Sequence, residues 1–405
     1  MTTTQMLNYC IALQPICDRK MRHVADELLY RAHGDATSAT IDDHQKATAR
    51  VCNVAFYETG LRSLVGSRKL FVNVPHEWLL KPELLPPEPD QVVVEVLEDV
   101  MGTPDVINAL HKIRRMGYEI ALDDFTLTPE SQPLLNVADI VKVDVRQPMD
   151  IAHLQLLKES GKRLLAEKVE DLDTFNRMSG LGFELFQGYF YAKPETQKLT
   201  LRKRTNHHPA LMRLLSELRR GDVNYKDLED LIAQDAQLTY VLLKHANSAM
   251  LHHRGEIVTV TQALNALGLR RVQATVITIL LADNGPTSRL LLSQALTRAA
   301  MCERVADESG QDPDAAFTVG LISMMGLLLD EPLAELLEKL PISQEAADAI
   351  LLRSHGLGKI LNLVEQFECG KVRDWSPDDI DLYNHIWLES QVWTTQTLAA
   401  IDNTV

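Results

Sequence analysis

Between residues 69 and 167, short apolar runs rich in β-branched residues recur at Lys69–Val74, 91–96, Glu119–Leu122, 139–144 and Arg163–Glu167. The stretches between them repeat apolar residues at helical spacing, as in 105–115. Apolar strands alternating with amphipathic helices predict βα units around a buried parallel sheet. Most of the runs end in or beside an acidic, amide or lysine residue. In a βα barrel those ends lie together at the C-terminal face.

The pattern changes after Lys193-Pro194. Residues 196–209 are polar, locally basic and closed by Pro209, and read as a linker. From Ala210 onward helical spacing dominates, at 211–218, 228–233, 238–246 and 260–267, with one short extended piece expected at 256–260. The expected organisation is an α/β barrel over 1–195, a linker over 196–209 and an all-helical domain over 210–405.

Charge narrows the partners. With 56 acidic against 41 basic residues the formal net charge is −15, a surface that repels nucleic-acid phosphates. The basic stretch 201–204 is too short to reverse that expectation. The five cysteines, Cys10, Cys17, Cys52, Cys302 and Cys369, show no paired short spacing, which fits a reducing compartment. The first residues lack the basic start and apolar run of a signal peptide. The longest apolar segment, 274–282, falls short of the ~20 residues that span a bilayer. A soluble, cytoplasmic protein without a membrane span is expected.

The strand ends of the first half offer Glu27, Asn73, Glu95, Asp123, Asp124, Lys142, Asp144, Glu167 and Gln187. Oxygen ligands from separate strands suit a hard divalent cation such as Mg2+ or Mn2+. Two such ions beside a lysine suit hydrolysis of a phosphodiester, because they activate water and stabilise the attacking and leaving oxygens. Each carboxylate by itself reads as a solvated side chain or helix cap. It is their joint placement at strand ends that points to a site.

The motifs in which these residues stand resemble the EAL domain, a bacterial hydrolase fold for cyclic di-GMP, across residues 10–195. Gln14-Pro15-Ile16 matches the family's opening, and Glu27-Leu28-Leu29-Tyr30-Arg31 its Glu-x-Leu-x-Arg motif. Asn73, the pair Glu95 and Glu98, Asp123-Asp124-Phe125, Lys142-Val143-Asp144, Ala166 to Glu170 and Gln187-Gly188-Tyr189 follow in order. The resemblance implies a modified TIM barrel and a two-metal Mg2+ or Mn2+ site held by Glu27, Asn73, Glu95, Asp123, Asp124 and Glu167. Glu27, Lys142, Glu167 and Gln187 would be catalytic, with Lys142 assisting the attacking water and Gln187 helping to hold nucleophile and metal. Gln14, Leu29, Arg31 and Asp144 would contact substrate, and a guanidinium at Arg31 suits a phosphate because it meets two oxygens at once. A homodimer through this domain is a further implication.

Two departures from the family stand out. The glycine-bearing loop that follows the aspartates in active members reads Thr126-Leu127-Thr128-Pro129-Glu130-Ser131 here, without glycine and with a proline. Lys168 stands where the family has glycine, and a cation there is expected to compete for Glu167 or repel a metal.

Residues 201–393 resemble an HDOD domain, a helical relative of the HD hydrolases, through Pro209-Ala210-Leu211, Ile232 to Asp235, Gln237-Leu238, Ala246-Asn247-Ser248-Ala249 and 261–268. Ser323-Met324 would replace the His-Asp pair of those enzymes, so no metal chemistry is expected there. His207-His208, His252-His253 and His355 read as surface or capping residues, since no acidic partner stands at ligand spacing. Segments 274–282 and 322–329 read as core helices, and Trp375, Trp387 and Trp393 as pins of the C-terminal helices. The combination implies a phosphodiesterase that opens cyclic di-GMP to linear pGpG, with a helical module that regulates it or engages a protein partner. The alternative is a receptor that binds the dinucleotide with little or no turnover.

Overall fold

The computed structural model describes residues 9–32, 52–147, 151–190, 259–268, 286–329, 332–339 and 342–402, with positions 226, 228, 232, 242, 243 and 272. The chain divides into two compact units, Met1–Thr196 with Val372–Asn384, and Gln197–Lys371 with His385–Val405. The return of Val372–Asn384 to the first unit has no counterpart in the expected boundaries. Within that unit, Ile11 N donates to Asn384 Oδ1 at 2.9 Å.

The first unit is a closed barrel of eight strands in chain order: β1 (Tyr9–Asp18), β2 (His23–Ala32), β3 (Lys69–Val74), β4 (Val92–Val96), β5 (Glu119–Leu122), β6 (Ile140–Asp144), β7 (Arg163–Glu167) and β8 (Leu185–Gln187). β1 runs antiparallel to both its neighbours, β2 and β8, and the other pairs are parallel. The barrel is therefore a TIM barrel modified at its first strand. The helix expected at 105–115 spans Pro104–Arg115 and buries Val106, Leu110 and Ile113; its N-cap Thr103 accepts a hydrogen bond from Val106 N. The helix Leu172–Gly180 is capped in the same way by Asp171, which accepts from Thr174 N at 2.7 Å.

Each strand contributes one residue to an apolar cluster in the barrel: Ile16, Ala25, Phe71, Val93, Ala121, Ile140, Leu165 and Leu185. Side chains along a strand alternate between faces, so the residue two positions on turns into the barrel again. On β2 to β8 those residues are Glu27, Asn73, Glu95, Asp123, Lys142, Glu167 and Gln187; on the reversed β1 the equivalent position is Gln14. The apolar layer thus sets the height and direction of the polar ring above it.

In the second unit the described secondary structure is entirely helical. It includes Pro286–Glu308, Pro313–Ile322, Met325–Leu329, Leu333–Lys339, Gln344–Leu352 and His355–Glu368. Residues 260–268 are helical as expected. The linker, helix 211–218, most of 228–233 and 238–246, the extended piece at 256–258, segment 274–282 and the two adjacent-histidine pairs lie outside the described residues. The segment expected as one core helix over 322–329 breaks at Ser323-Met324, between Pro313–Ile322 and Met325–Leu329. Trp393 packs edge-on against Phe317, and in the first unit Trp375 packs edge-on against Tyr383.

Candidate active site

Lys142 lies at the centre of the polar ring and is fully buried. Its Nζ is 2.6 Å from Glu95, 2.7 Å from Asp123, 3.1 Å from Glu167 and 3.2 Å from Glu27. Burial by itself would strip the ammonium of its proton. The four carboxylates outweigh burial and hold Lys142 charged, well above the ordinary lysine range. One positive charge does not balance four negative ones. Burial and the neighbouring Glu27 push Glu95 well above the ordinary carboxylate range, against the pull of Lys142. Glu167 is pushed up to about 8, first by burial and then by Asp123, Glu27 and Asp124, again against Lys142.

Glu27 is positioned by three donors. Gln187 Nε2 donates to its Oε2 at 2.6 Å, Asn73 Nδ2 to its Oε1 at 3.2 Å, and Lys142 Nζ to its Oε2 at 3.2 Å. Gln187 and Asn73 therefore orient a carboxylate, and each leaves its own oxygen without a hydrogen-bond partner. Asn73 Oδ1, Gln187 Oε1, Glu167 Oε2 and Glu95 Oε2 are buried acceptors in that condition, and Glu95 Oε1 has only the ion pair with Lys142 at 2.6 Å. Orphaned buried acceptors are costly unless something completes the site.

These features fit a hard divalent cation: the donors are all oxygens, they carry surplus negative charge, and four of them lack partners. Among the described residues, no group of three or more His, Cys, Asp or Glu forms an open metal cage. The point where Glu27, Glu95, Asp123 and Glu167 converge is taken by the Lys142 ammonium.

A second cluster sits above the first. Asp124 and Lys168 both adopt left-handed backbone, with φ 39° and 57°. Such non-glycine conformations cost about 1–3 kcal/mol each and persist only where surroundings impose them. Lys168 Nζ contacts Asp144 at 2.9 Å and Asp124 at 3.0 Å. This corrects the expectation that Lys168 would compete for Glu167: the left-handed turn carries its side chain to the ends of β5 and β6. Arg146, which the strand-end reading overlooked, chelates Asp144 through Nε at 3.2 Å and Nη2 at 2.9 Å. The Arg146 hydrogen bonds, aided by Lys168, hold Asp144 well below the ordinary carboxylate range. The tripeptide Asp144-Val145-Arg146, a strand end followed two residues later by a cation, was the available signal.

The loop after Asp124 is ordered by its own side chains. Ser131 Oγ accepts from Thr128 N at 2.8 Å and donates to the Thr126 carbonyl at 2.7 Å, while Ser131 N donates to Thr128 Oγ1 at 3.1 Å. Gly102 N donates to the Glu130 carbonyl at 2.9 Å, pinning the loop from outside. A pocket of about 240 Å³ opens beside it, lined by Glu98, Asp123 and Asp124 together with Val96, Val100 and Leu134. The other expected contacts divide. Gln14 is the register partner of Glu27, and Leu29 lies two residues further along β2, opposite Ala12. Arg31 pairs in register with Cys10, and its side chain lies outside the described part of the structure.

In the second unit, Ser323 occupies the place expected of a metal-binding pair. Its hydroxyl accepts from Arg298 Nη1 at 3.2 Å, and Met324 is buried. Arg298 also forms a fork with Glu368 and an ion pair with Glu365 at 3.3 Å; Arg353 clamps Glu365 at 2.7 Å. A guanidinium supplies the positive charge here.

A closed barrel with an acidic, lysine-centred mouth, followed by a helical unit, defines the class of protein. Residues 68–194 match the EAL domain and residues 207–348 the HDOD domain. The chain is 32% identical over 370 residues to the cyclic di-GMP phosphodiesterase CdgJ of Vibrio cholerae, covering 88% of this chain and 84% of that protein. It is 30% identical over 371 residues to YuxH of Bacillus subtilis, covering 88% and 90% respectively. It belongs to the family of proteins that join an EAL domain to an HDOD domain. Among solved structures, the PaMucR phosphodiesterase in complex with c-di-GMP is similar at 20% identity and a TM-score of 0.38, over 45% of this chain and 94% of that one.

Proposed function

We propose that this protein is a cyclic di-GMP phosphodiesterase that adds water across one phosphodiester of the ring and releases linear pGpG. The observation that carries the reading is the buried ring of Glu27, Glu95, Asp123 and Glu167 around Lys142, with its orphaned oxygens. The 32% identity to a relative bearing that name supports it. Glu27, Asn73, Glu95, Asp123, Asp124 and Glu167 would hold two divalent ions, Mg2+ or Mn2+. Bound there, the ions supply an activated water and charge for the attacking and leaving oxygens.

The side chains divide the remaining work. Lys142 stays protonated, so it orients the nucleophile and offsets charge rather than accepting a proton. Gln187 fixes the rotamer of Glu27. Arg31, Gln14, Leu29 and Asp144 would contact the dinucleotide, with Arg31 on a phosphate. The P–O3′ bond breaks as the water oxygen joins phosphorus, and the 3′ oxygen leaves with a proton.

The helical unit would regulate turnover or dock a protein partner, since its Ser323-Arg298 cluster replaces metal chemistry with an ion pair. Homodimerisation through the barrel and a cytoplasmic location belong to the same reading. Among the described residues no helix is long and apolar enough to cross a membrane. The receptor alternative is favoured by one observation, the capture of Asp124 by Lys168.

Hydrolysis of cyclic di-GMP by the full chain with Mg2+ or Mn2+, followed by chromatography of products, tests the proposal. Formation of pGpG that disappears in Glu27→Ala is expected. Calorimetric binding of the dinucleotide without product would establish the receptor, and neither binding nor product would sink both readings.

A further inference from the structure

Two ammonium groups divide the acidic mouth between them. Lys142 takes Asp123 together with Glu27, Glu95 and Glu167, whereas Lys168 takes the adjacent Asp124 together with Asp144. The two aspartates of one turn therefore face different cations. Lys142 is fully buried inside the ring, but Lys168 reaches in from the rim, with 38% of its side chain exposed. Its backbone, at φ 57°, is one that glycine adopts freely and lysine does not. The side chain is thus kept at an unfavourable backbone position, where its ammonium lies 3.0 Å from Asp124 and 2.9 Å from Asp144.

Arg146 already neutralises Asp144, holding Oδ1 through Nε and sharing Oδ2 with Lys168. Arg146 also lies within electrostatic reach of Asp124, but among the described residues Lys168 is the cation in direct contact with it, at 3.0 Å. Asp124 is a proposed ligand of one of two divalent ions, and an ammonium within 3 Å competes directly with a dication for the same oxygens.

We propose, building on the phosphodiesterase reading, that the Lys168 ammonium occupies the second cation position at Asp124. A divalent ion at the inner ring must share its carboxylates with Lys142, which belongs to that ring, whereas a second ion at Asp124 enters only when Lys168 is displaced. The inference concerns which cation the site holds, and so it can be read without turnover.

The test is a Mn2+ titration of the full-length protein, followed by loss of the free-ion signal in electron paramagnetic resonance and by calorimetry, without nucleotide. Wild type is compared with Lys168→Met, which keeps the side-chain bulk, and Lys168→Gly, which also suits the left-handed backbone. Wild type is expected to bind one tight Mn2+ per chain. Both variants are expected to bind two, the second at least about tenfold tighter than any second ion in wild type, as removal of a unit charge a few ångströms away predicts. Spin–spin broadening of the bound signal in the variants would mark two neighbouring ions. If Lys168→Met fails to fold in a thermal scan, Lys168→Gly decides. Two equally tight ions in wild type, or one ion in folded variants, would overturn the role of Lys168 while leaving the metal reading intact. No Mn2+ bound in any of the three would overturn both.

Discussion

Removing the central ammonium should show what holds the barrel mouth together in the absence of metal. Lys142→Met keeps most of the side-chain volume and deletes the one positive charge within 3.2 Å of Glu27, Glu95, Asp123 and Glu167. Breaking a buried pair by removing one partner costs about 3–5 kcal/mol, because the charge left behind has lost both solvent and counter-ion. For a unit of this size each kcal/mol moves the melting temperature by roughly 2–4 °C, so a drop of about 10–15 °C is expected. Part of that loss should be relieved by proton uptake on Glu95 and Glu167, whose proton affinity is already raised.

Glu95→Gln supplies the contrast. Glu95 is fully buried and pushed toward its neutral form, so the amide should change metal-free stability by less than about 1 kcal/mol. It should nevertheless remove most of the stabilisation that added Mn2+ confers, since ligand binding stabilises only as far as the folded site binds. Differential scanning calorimetry of the full chain, with chelator and with Mn2+, resolves both effects. A metal-free Lys142→Met that melts within about 2 °C of wild type would refute the claim that this ammonium balances the cluster.

Three further outcomes follow from local geometry. A Cβ at Gly188, where φ is 146°, would collide with the Val169 carbonyl oxygen, so Gly188→Ala must displace the end of β8; loss of hydrolysis and a lowered melting temperature are expected, and wild-type values for both would contradict the close approach. Arg298→Met should destabilise the second unit by about 3 kcal/mol, and adding Glu368→Gln should recover part of it; additive losses in that double-mutant cycle would show that the pair does not couple. Cys10, Cys17, Cys52 and Cys302 are buried while Cys369 is exposed, and burial pushes the Cys52 thiol up to about 12, so native protein at pH 8 should label one thiol rapidly and the rest only after denaturation; two or more fast thiols would contradict the packing.

How much of this was legible beforehand depended on whether a residue's role was local. β3 to β7 announce themselves because both faces of a parallel strand are covered, leaving continuous apolar runs such as Val92–Val96. β2 carries Asp26 and Glu27 in mid-strand, and β8 has three residues, so neither shows a run. Asp26 is buried on the other face of β2, between His23 at 2.7 Å and Arg68 at 2.8 Å, a partnership across 42 residues that no window of sequence reveals.

The site shows the same division. Its ring was readable at Asn73, Glu95, Lys142 and Glu167 because they stand at or near the ends of apolar runs, whereas Glu27 and Gln187, on strands without such a run, depended on the motif resemblance. The destination of Lys168 was not readable, because its stem is long enough to reach either Glu167 or the ends of β5 and β6. A left-handed φ decided between them, and sequence carries no direct record of that angle at a lysine. The altered loop is a similar case. In sequence it showed only absent glycines and a proline, whereas the structure shows what replaced them: a reciprocal Thr128–Ser131 cap that ties the loop to itself. Which oxygens gather at the barrel mouth is therefore conveyed by residue type and spacing. Which cation Asp124 meets there is conveyed by the backbone angle and side-chain reach of Lys168.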